Sequence, residues 1–342
     1  MDRAFLRHDP PGAPVALVLD SPHSGEWYPD DFDHAPPRAV VRQAEDTHVA
    51  RLWHAATGLG ATLIEARFPR AYIDANRSLA DIDADLLADP WPEPVVPSRK
   101  TQQGIGLVWR VARGGAPMYA RKLRSAEVRA RIDRCWRPYH RALDAALDER
   151  QRAFGGVWHV NCHSMPAVGD AQADDPGRER ADFVLGDRDG TTCDPAFTAL
   201  VRDALADMGY DVKVNDPYKG VELVRAFSDP PAGRHSLQIE VNRRLYMDER
   251  TRERSAGFPR LARDIERLVK SVCAYAAERG SHACDGHDHG HVHGPGCGHD
   301  HSHDHAHGHH HGHDHSHDHG QHHHEPHDHP HGHGHAGPKT ER

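Results

Sequence analysis

The chain has 342 residues, with 42 Lys and Arg against 51 Asp and Glu, a formal charge of −9 and 37% apolar residues. This mildly acidic balance with no basic face leaves no electrostatic footprint for nucleic acid, and no apolar run approaches the roughly 20 residues of a membrane span. Residues Met1-Asp-Arg-Ala-Phe-Leu-Arg7 lack the apolar core of a signal peptide, and the six cysteines form no Cys-x-x-Cys pair, so a cytoplasmic protein with reduced thiols is expected.

In chain order, an apolar strand is predicted over 15–19 and a helix over 46–58, capped by Asp46 and ended by Gly58. Strands follow at 61–65 and 71–74. Residues 89–117 are rich in Pro and Gly and read as a loop with one short strand at 106–110. A long amphipathic helix covers 125–153, bent near Pro138. Strands are predicted at 157–161, 181–185, 211–214 and 236–241, with the loop 186–190 after the second of these, a helix over 195–208 and a terminal helix over 258–278. Strands alternating with helices point to an α/β fold: one three-layer domain, its sheet mixed but mostly parallel, with helices on both faces. Residues 1–280 contain no Gly-x-Gly-x-x-Gly, P-loop or Gly-x-Ser-x-Gly motif.

Two histidines are expected just past the ends of two apolar strands: His23 in Asp20-Ser-Pro-His23-Ser-Gly25 and His163 in Asn161-Cys-His163-Ser-Met. Ligands of open α/β sheets collect outside such carboxyl ends, and imidazole is a common zinc ligand. A hydrolytic zinc site takes three protein ligands, an open position and a carboxylate that moves the proton. The third ligand is a carboxylate within reach of His23. Asp46 ranks first, because it starts a helix whose N-terminus can face the strand ends; Glu26, three residues after His23, is the alternative, with Glu45 and His48 also near. An Asp before a helix is more often a plain cap than a ligand. Glu240 is the candidate general base: it shares one face of an apolar strand with Gln238, opposite Leu237, Ile239 and Val241, where a carboxylate is costly to bury without a partner or a task. Asp74-Ala-Asn76-Arg77, Arg70, Lys219, Arg225 and His235 supply a polar and cationic set suited to a small anionic substrate.

Taken together, Ser-Pro-His23-Ser-Gly, Glu45-Asp-Thr-His-Val, Phe68-Pro-Arg-Ala-Tyr-Ile-Asp-Ala-Asn-Arg77, Asn161-Cys-His-Ser-Met, Pro217-Tyr-Lys-Gly-Val-Glu-Leu-Val-Arg225, Gly233-Arg-His-Ser-Leu-Gln-Ile-Glu240 and Leu245-Tyr-Met-Asp-Glu resemble the N-formylglutamate amidohydrolase family, in order, over about 15–270. The resemblance implies a fold similar to the zinc carboxypeptidases (phosphorylase/hydrolase-like) and to the aspartoacylase and succinylglutamate desuccinylase group. It implies one catalytic Zn2+, an Asn76–Arg77 pair that binds the substrate carboxylate, and Glu240 as activator of the water. The implied reaction is hydrolysis of N-formyl-L-glutamate to formate and L-glutamate, a step of histidine breakdown. Two departures stand out. Glu26 satisfies the His-x-x-Glu spacing of the metallopeptidases although Asp46 lies in the family-like motif. An Asp often precedes the second ligand histidine by two positions, and here that residue is Asn161.

From Ser281 on, the chain is mostly His, Gly, Asp and Pro, and residues 282–335 hold 25 of its 34 histidines. Too little apolar surface remains to offset ordering entropy, so a catalytic domain over 1–280 and a disordered, histidine-rich tail over 281–342 are expected. Dense imidazole offers weak, exchangeable sites for divalent metals. The rival reading is accordingly a metal-handling protein, a zinc or nickel store or a metallochaperone on a hydrolase-like scaffold. A set of candidate site residues that includes a strand-borne glutamate and an Asn-Arg pair favours the enzyme. If the tail loads the active site, a chain cut before Ser281 matches the full chain in kcat/KM in excess zinc. Under chelator competition at neutral pH it loses more activity than the full chain does, an advantage that shrinks below about pH 6 as tail imidazoles protonate. Equal losses in scarce zinc rule out a loading arm.

Overall fold

The computed structural model describes residues 4–170 and 173–281, so the tail, including Cys284 and Cys297, lies outside the described residues apart from Ser281. Seven strands, β1 (Phe5–His8), β2 (Leu17–Ser21), β3 (Thr62–Ala66), β4 (Val157–Met165), β5 (Phe183–Gly186), β6 (Val212–Val214) and β7 (Arg234–Asn242), form one sheet in the order β1-β3-β2-β4-β7-β5-β6. The middle of the sheet, β3-β2-β4-β7, is parallel; β1 joins β3 and β5 joins β7 antiparallel, and β6 extends β5 in parallel. The mixed, mostly parallel sheet expected from the sequence is therefore present.

The described helices are α1 (Arg38–Val41), α2 (Val49–Trp53), α3 (Arg99–Gln102), α4 (Ser125–Arg131), α5 (Arg137–Phe154), α6 (Pro195–Asp207), α7 (Glu222–Ala226) and α8 (Phe258–Ser281). Side chains alternate across a strand, so each face of the sheet needs its own cover. Val18, Ile64 and Val157 pack with Tyr139, Leu143 and Leu147 of α5. Leu17, Leu19, Trp158 and Val160 pack on the other side with Leu52 and Trp53 of α2, Phe197 and Val201 of α6, and Ile265 and Leu268 of α8. These are the three layers. No helix among the described residues is long and apolar enough to cross a membrane.

Several local readings change. The edge strand β1 was not foreseen, because four residues, three half-buried and Leu6 exposed, carry little periodicity. Residues 71–74 form a turn, with the Tyr72 N–H donating to the Pro69 carbonyl (3.0 Å) and the Asp74 N–H to Leu107 (2.7 Å). The expected strand at 106–110 is a tight turn closed by a bridge between Ile105 and Trp109. The helix expected from Asp46 starts at Val49, behind His48 in the left-handed region (φ 70°), and the segment ends at Gly60 (φ 97°) rather than Gly58. Asp46 is no cap, since its carboxylate turns inward to two histidines. The long helix over 125–153 is α4 and α5 joined by a wider π turn, Ile132–Trp136. That turn sits just ahead of Pro138, whose ring supplies no N–H to an α-helical bond. The short helix α7 was not foreseen.

Gly25 decides the path of the chain after β2. A Cβ there would lie 2.2 Å from the Phe68 carbonyl oxygen, and two residues on, the Trp27 N–H donates to the Arg67 carbonyl at 2.8 Å. The loop carrying His23 is thus pressed against the backbone that leaves β3. Gly25→Ala must push two backbones apart, which costs about 1–3 kcal/mol and lowers Tm by several degrees in thermal denaturation. Gly58→Ala, with nothing within 4 Å of the new Cβ, is the control and leaves Tm nearly unchanged.

Candidate metal centre

His23, Asp46 and His163 come from three places in the chain and meet at the carboxyl end of β2 and on β4, which runs to Met165 rather than ending at 161, so that His163 lies within the strand and not past its end. One ligand atom from each lies within 4.8 Å of the others, and all three residues are buried. The imidazole centroids are 4.7 Å apart. Asp46 Oδ2 is 3.1 Å from His163 Nδ1 and 3.4 Å from His23 Nδ1.

The outer nitrogens of both rings are engaged. His23 Nε2 is 2.7 Å from Asp74 Oδ1. An ionised carboxylate only accepts, so Nε2 carries the proton and Nδ1 presents a lone pair. His163 Nε2 is 2.7 Å from Asn161 Oδ1, which turns its Nδ1 inward in the same way. Two imidazole lone pairs therefore face a carboxylate oxygen, and His23 Nδ1 is a buried nitrogen with no hydrogen-bond partner. Such a cluster is electrostatically incomplete without a cation. Two imidazole nitrogens and one carboxylate oxygen are a donor set that zinc accepts, with room for an open position. The residues present fit a divalent ion.

Asp46 is fixed from behind. Arg243, just past the end of β7, donates from Nη2 to Asp46 Oδ1 (2.9 Å) and to the Glu45 carbonyl (2.9 Å), and Ser164 Oγ donates to Oδ1 at 3.3 Å. Burial pushes the Asp46 carboxyl up, and with lone pairs rather than N–H groups facing Oδ2, the Arg243 guanidinium at Oδ1 is the charge that favours its ionised form. Asp74 is similar: burial opposes ionisation, and Arg70, His23 and Arg77 hold its carboxyl well down. Its Oδ2 accepts two hydrogen bonds from Arg70, 3.1 and 2.9 Å.

Glu240 stands on β7 directly opposite His163 on β4. Gln238 Nε2 donates to its Oε1 at 3.0 Å. Burial raises its pKa and the Asp46 charge adds to that rise, against the pull of His163, Arg70 and Arg243. A carboxylate raised in this way beside a metal-ligand cluster has the character of a proton acceptor.

A cavity of about 140 Å³ is lined by Arg70, Arg77, Lys100, Arg113, Asp170, Arg180, Trp109 and Tyr218 among others, and Arg70 connects it through Asp74 to His23. Arg77 is buried; its Nη1 donates to the Asn76 carbonyl (2.9 Å) and its Nε to the Ile105 carbonyl (3.3 Å), while Asp81 approaches no closer than 3.9 Å. The turn that carries Arg77 is held by the α4–α5 helix. Trp136 Nε1, in the π turn, donates to the Arg77 carbonyl (3.0 Å), and His140, stacked on Trp136, donates from Nε2 to the Ala75 carbonyl (2.8 Å). Asn76 itself is turned into the protein: its Oδ1 accepts from the Leu223 N–H (2.9 Å) and its Nδ2 lies 3.3 Å from His163 Nε2.

Four sequence candidates lie elsewhere. Glu26 is 55% exposed and pairs with Arg42 at 3.0 Å, carried outward by the turn at Gly25. Lys219 is 58% exposed and pairs with Asp189, and Arg225 is 55% exposed and pairs with Glu222 three residues before it. His235 stacks on Trp158 near the amino end of β7, five residues before Glu240 and toward the opposite end of the strands. Glu45 instead takes the Tyr28 hydroxyl (2.7 Å), and His48 Nε2 the Arg252 carbonyl (2.9 Å). Arg243, Lys100, Arg113, Arg180 and Tyr218 were not singled out from the sequence, and Asp74 was named only as part of the Asn76–Arg77 motif, not as the partner of His23. Asp74 stood in view two residues before Asn76, and Arg243 three residues past Glu240.

A family model described as N-formylglutamate amidohydrolase matches residues 15–247. The chain is similar to the N-formylglutamate deformylase of Pseudomonas putida, 28% identical over 291 residues that cover 82% of this chain and 99% of that protein. It is also similar to the crystal structure of N-formylglutamate amidohydrolase from Ralstonia eutropha JMP134, with 48% identity and a TM-score of 0.78 over 81% of this chain and 99% of that one. A gene product of Agrobacterium tumefaciens, 20% identical with a TM-score of 0.54, shares the fold.

Proposed function

Because the chain belongs to the N-formylglutamate amidohydrolase family, we propose that it hydrolyses the amide bond of N-formyl-L-glutamate to give formate and L-glutamate at a zinc site built from His23, Asp46 and His163. The observation that carries this reading is the convergence of three buried lone pairs, one on an unpartnered nitrogen, beside the strand-borne carboxylate of Glu240. When bound, the ion supplies Lewis acidity to the formyl carbonyl and to the attacking water. Glu240 takes the proton of that water and delivers it to the amide nitrogen as the C–N bond breaks. Arg77, held by backbone carbonyls and only distantly approached by Asp81, binds a substrate carboxylate. Lys100, Arg113 and Arg180 also line the cavity, each beside an aspartate, Asp174, Asp170 and Asp175, which leaves Arg77 as the cation assigned to the substrate carboxylate. Arg70 serves mainly to hold Asp74 against His23. The histidine-rich tail acts as a weak metal-binding arm.

Three measurements test this reading. His23→Ala and His163→Ala abolish hydrolysis of N-formyl-L-glutamate and remove one tightly held zinc per chain; a mutant that keeps this zinc is missing a residue that is no ligand. Glu240→Gln preserves shape and zinc content and lowers kcat at least about a hundredfold, whereas an unchanged kcat excludes Glu240 as the base. Arg77→Ala raises KM for the carboxylate substrate by an amount equivalent to roughly 2–4 kcal/mol but changes the rate on the corresponding amide far less. Equal losses on both substrates make Arg77 structural.

A further inference from the structure

We propose that Asp20 is a positioning residue for His163, acting through Asn161 to fix which imidazole nitrogen faces the metal site. The inference rests on the metal-site reading above. Asp20 lies on β2 directly across from Asn161 on β4 and is completely buried. Residues 159, 161 and 163 alternate along β4 and so share one face, making a polar ladder inside the sheet: His159, Asn161, His163. Asp20 accepts from all sides, from Tyr139 Oη at 2.6 Å, from His159 Nε2 at 2.9 Å and from Asn161 Nδ2 at 2.6 Å.

The carboxylate has no hydrogen to offer, so the Asn161 amide can present only its NH2 group to Asp20. Its carbonyl oxygen is thereby forced toward His163 Nε2, 2.7 Å away, and an acceptor there selects the tautomer with the proton on Nε2. The lone pair of His163 is left on Nδ1, toward Asp46. The Asn76 amide nitrogen lies 3.3 Å from the same Nε2, a longer contact that the 2.7 Å acceptor dominates. A carboxylate in place of the Asn161 amide would set two carboxylates in contact in the dry interior, which is unfavourable. Asn161 passes on the direction of a charge that sits one strand away.

The test uses the full chain, stripped of metal and returned to chelator buffers of fixed free zinc. The readout is the free zinc at the midpoint of the zinc-dependent rise in Tm. Every variant carries the same histidine-rich segment, so its zinc uptake is common to all. In Asp20→Asn the Asn161 amide is free to flip, and the midpoint moves to roughly 10–100-fold higher zinc, while kcat at saturating zinc stays near wild type. The double variant Asp20→Asn/Asn161→Asp exchanges charge and amide but keeps the order of donors and acceptors. The carboxylate introduced on β4 accepts from His163, and the amide introduced on β2 donates to that carboxylate. His159 changes tautomer against Ser236 Oγ, which lies 2.7 Å from its Nδ1 and serves as donor or acceptor. The midpoint of the double variant returns to near the wild-type value. A folded Asp20→Asn with an unshifted midpoint, or a double variant as weak as the single one, overturns the proposal. If Asp20→Asn does not fold, the double variant is compared with wild type directly, and its failure to fold or a midpoint roughly tenfold or more higher also overturns it. His163→Ala loses the zinc-dependent rise altogether; if it does not, the metal-site reading itself fails, a result distinct from the others.

Discussion

The organisation of the site depends on one electrostatic constraint: a buried carboxylate, Asp46, faces two imidazole nitrogens that bear lone pairs. Taking a carboxylate out of water costs several kcal/mol unless cations or strong donors replace the hydration. Arg243 and Ser164 serve one oxygen of Asp46 and leave the other directed at His23 and His163. Each histidine is turned to that oxygen because an acceptor waits on its far side, Asp74 for His23 and Asn161 for His163. Removing any of these outer contacts would loosen a ring orientation rather than delete a ligand, and tuning by such outer partners is a general feature of metal sites.

The same constraint explains the charge pattern around it. Asp20, Asp46, Asp74 and Glu240 are all buried near the carboxyl ends of the parallel strands. Arg70, Arg77 and Arg243 are interleaved among them, so no carboxylate lies without a cation or a set of hydrogen-bond donors. Arg70 gives its Nε and Nη2 to Asp74, while Arg77 is tied mostly to backbone carbonyls. That difference separates a cation that holds the site together from one with charge available for a ligand.

The helix layer that includes α5 contributes more than core packing. Its Tyr139 hydroxyl reaches Asp20, while Trp136 and His140, four residues apart and so on one side of the helix, clasp the carbonyls on either side of Asn76. One helix thus fixes both the turn carrying Arg77 and the polar ladder behind His163.

The amino-acid sequence by itself determined the alternating α/β order, the central strands at His23, His163 and Glu240, and the motif-bearing loops, because burial on both faces of a parallel sheet leaves continuous apolar runs with polar residues at their ends. It was silent on β1 and misjudged 71–74 and 106–110, where a few residues carry too little periodicity to separate strand from turn. It ranked Asp46 ahead of Glu26 for an incorrect reason: Asp46 caps no helix, and its place in the cluster comes from the contacts of Arg243 across the sheet. Lys219, Arg225 and His235 looked as cationic or as polar as Arg77, and side-chain chemistry alone does not say which end of a strand or which surface a residue occupies. The tertiary structure decided that, because strand register and crossover direction bring residues more than a hundred positions apart to within hydrogen-bonding distance, a relation that no local pattern encodes.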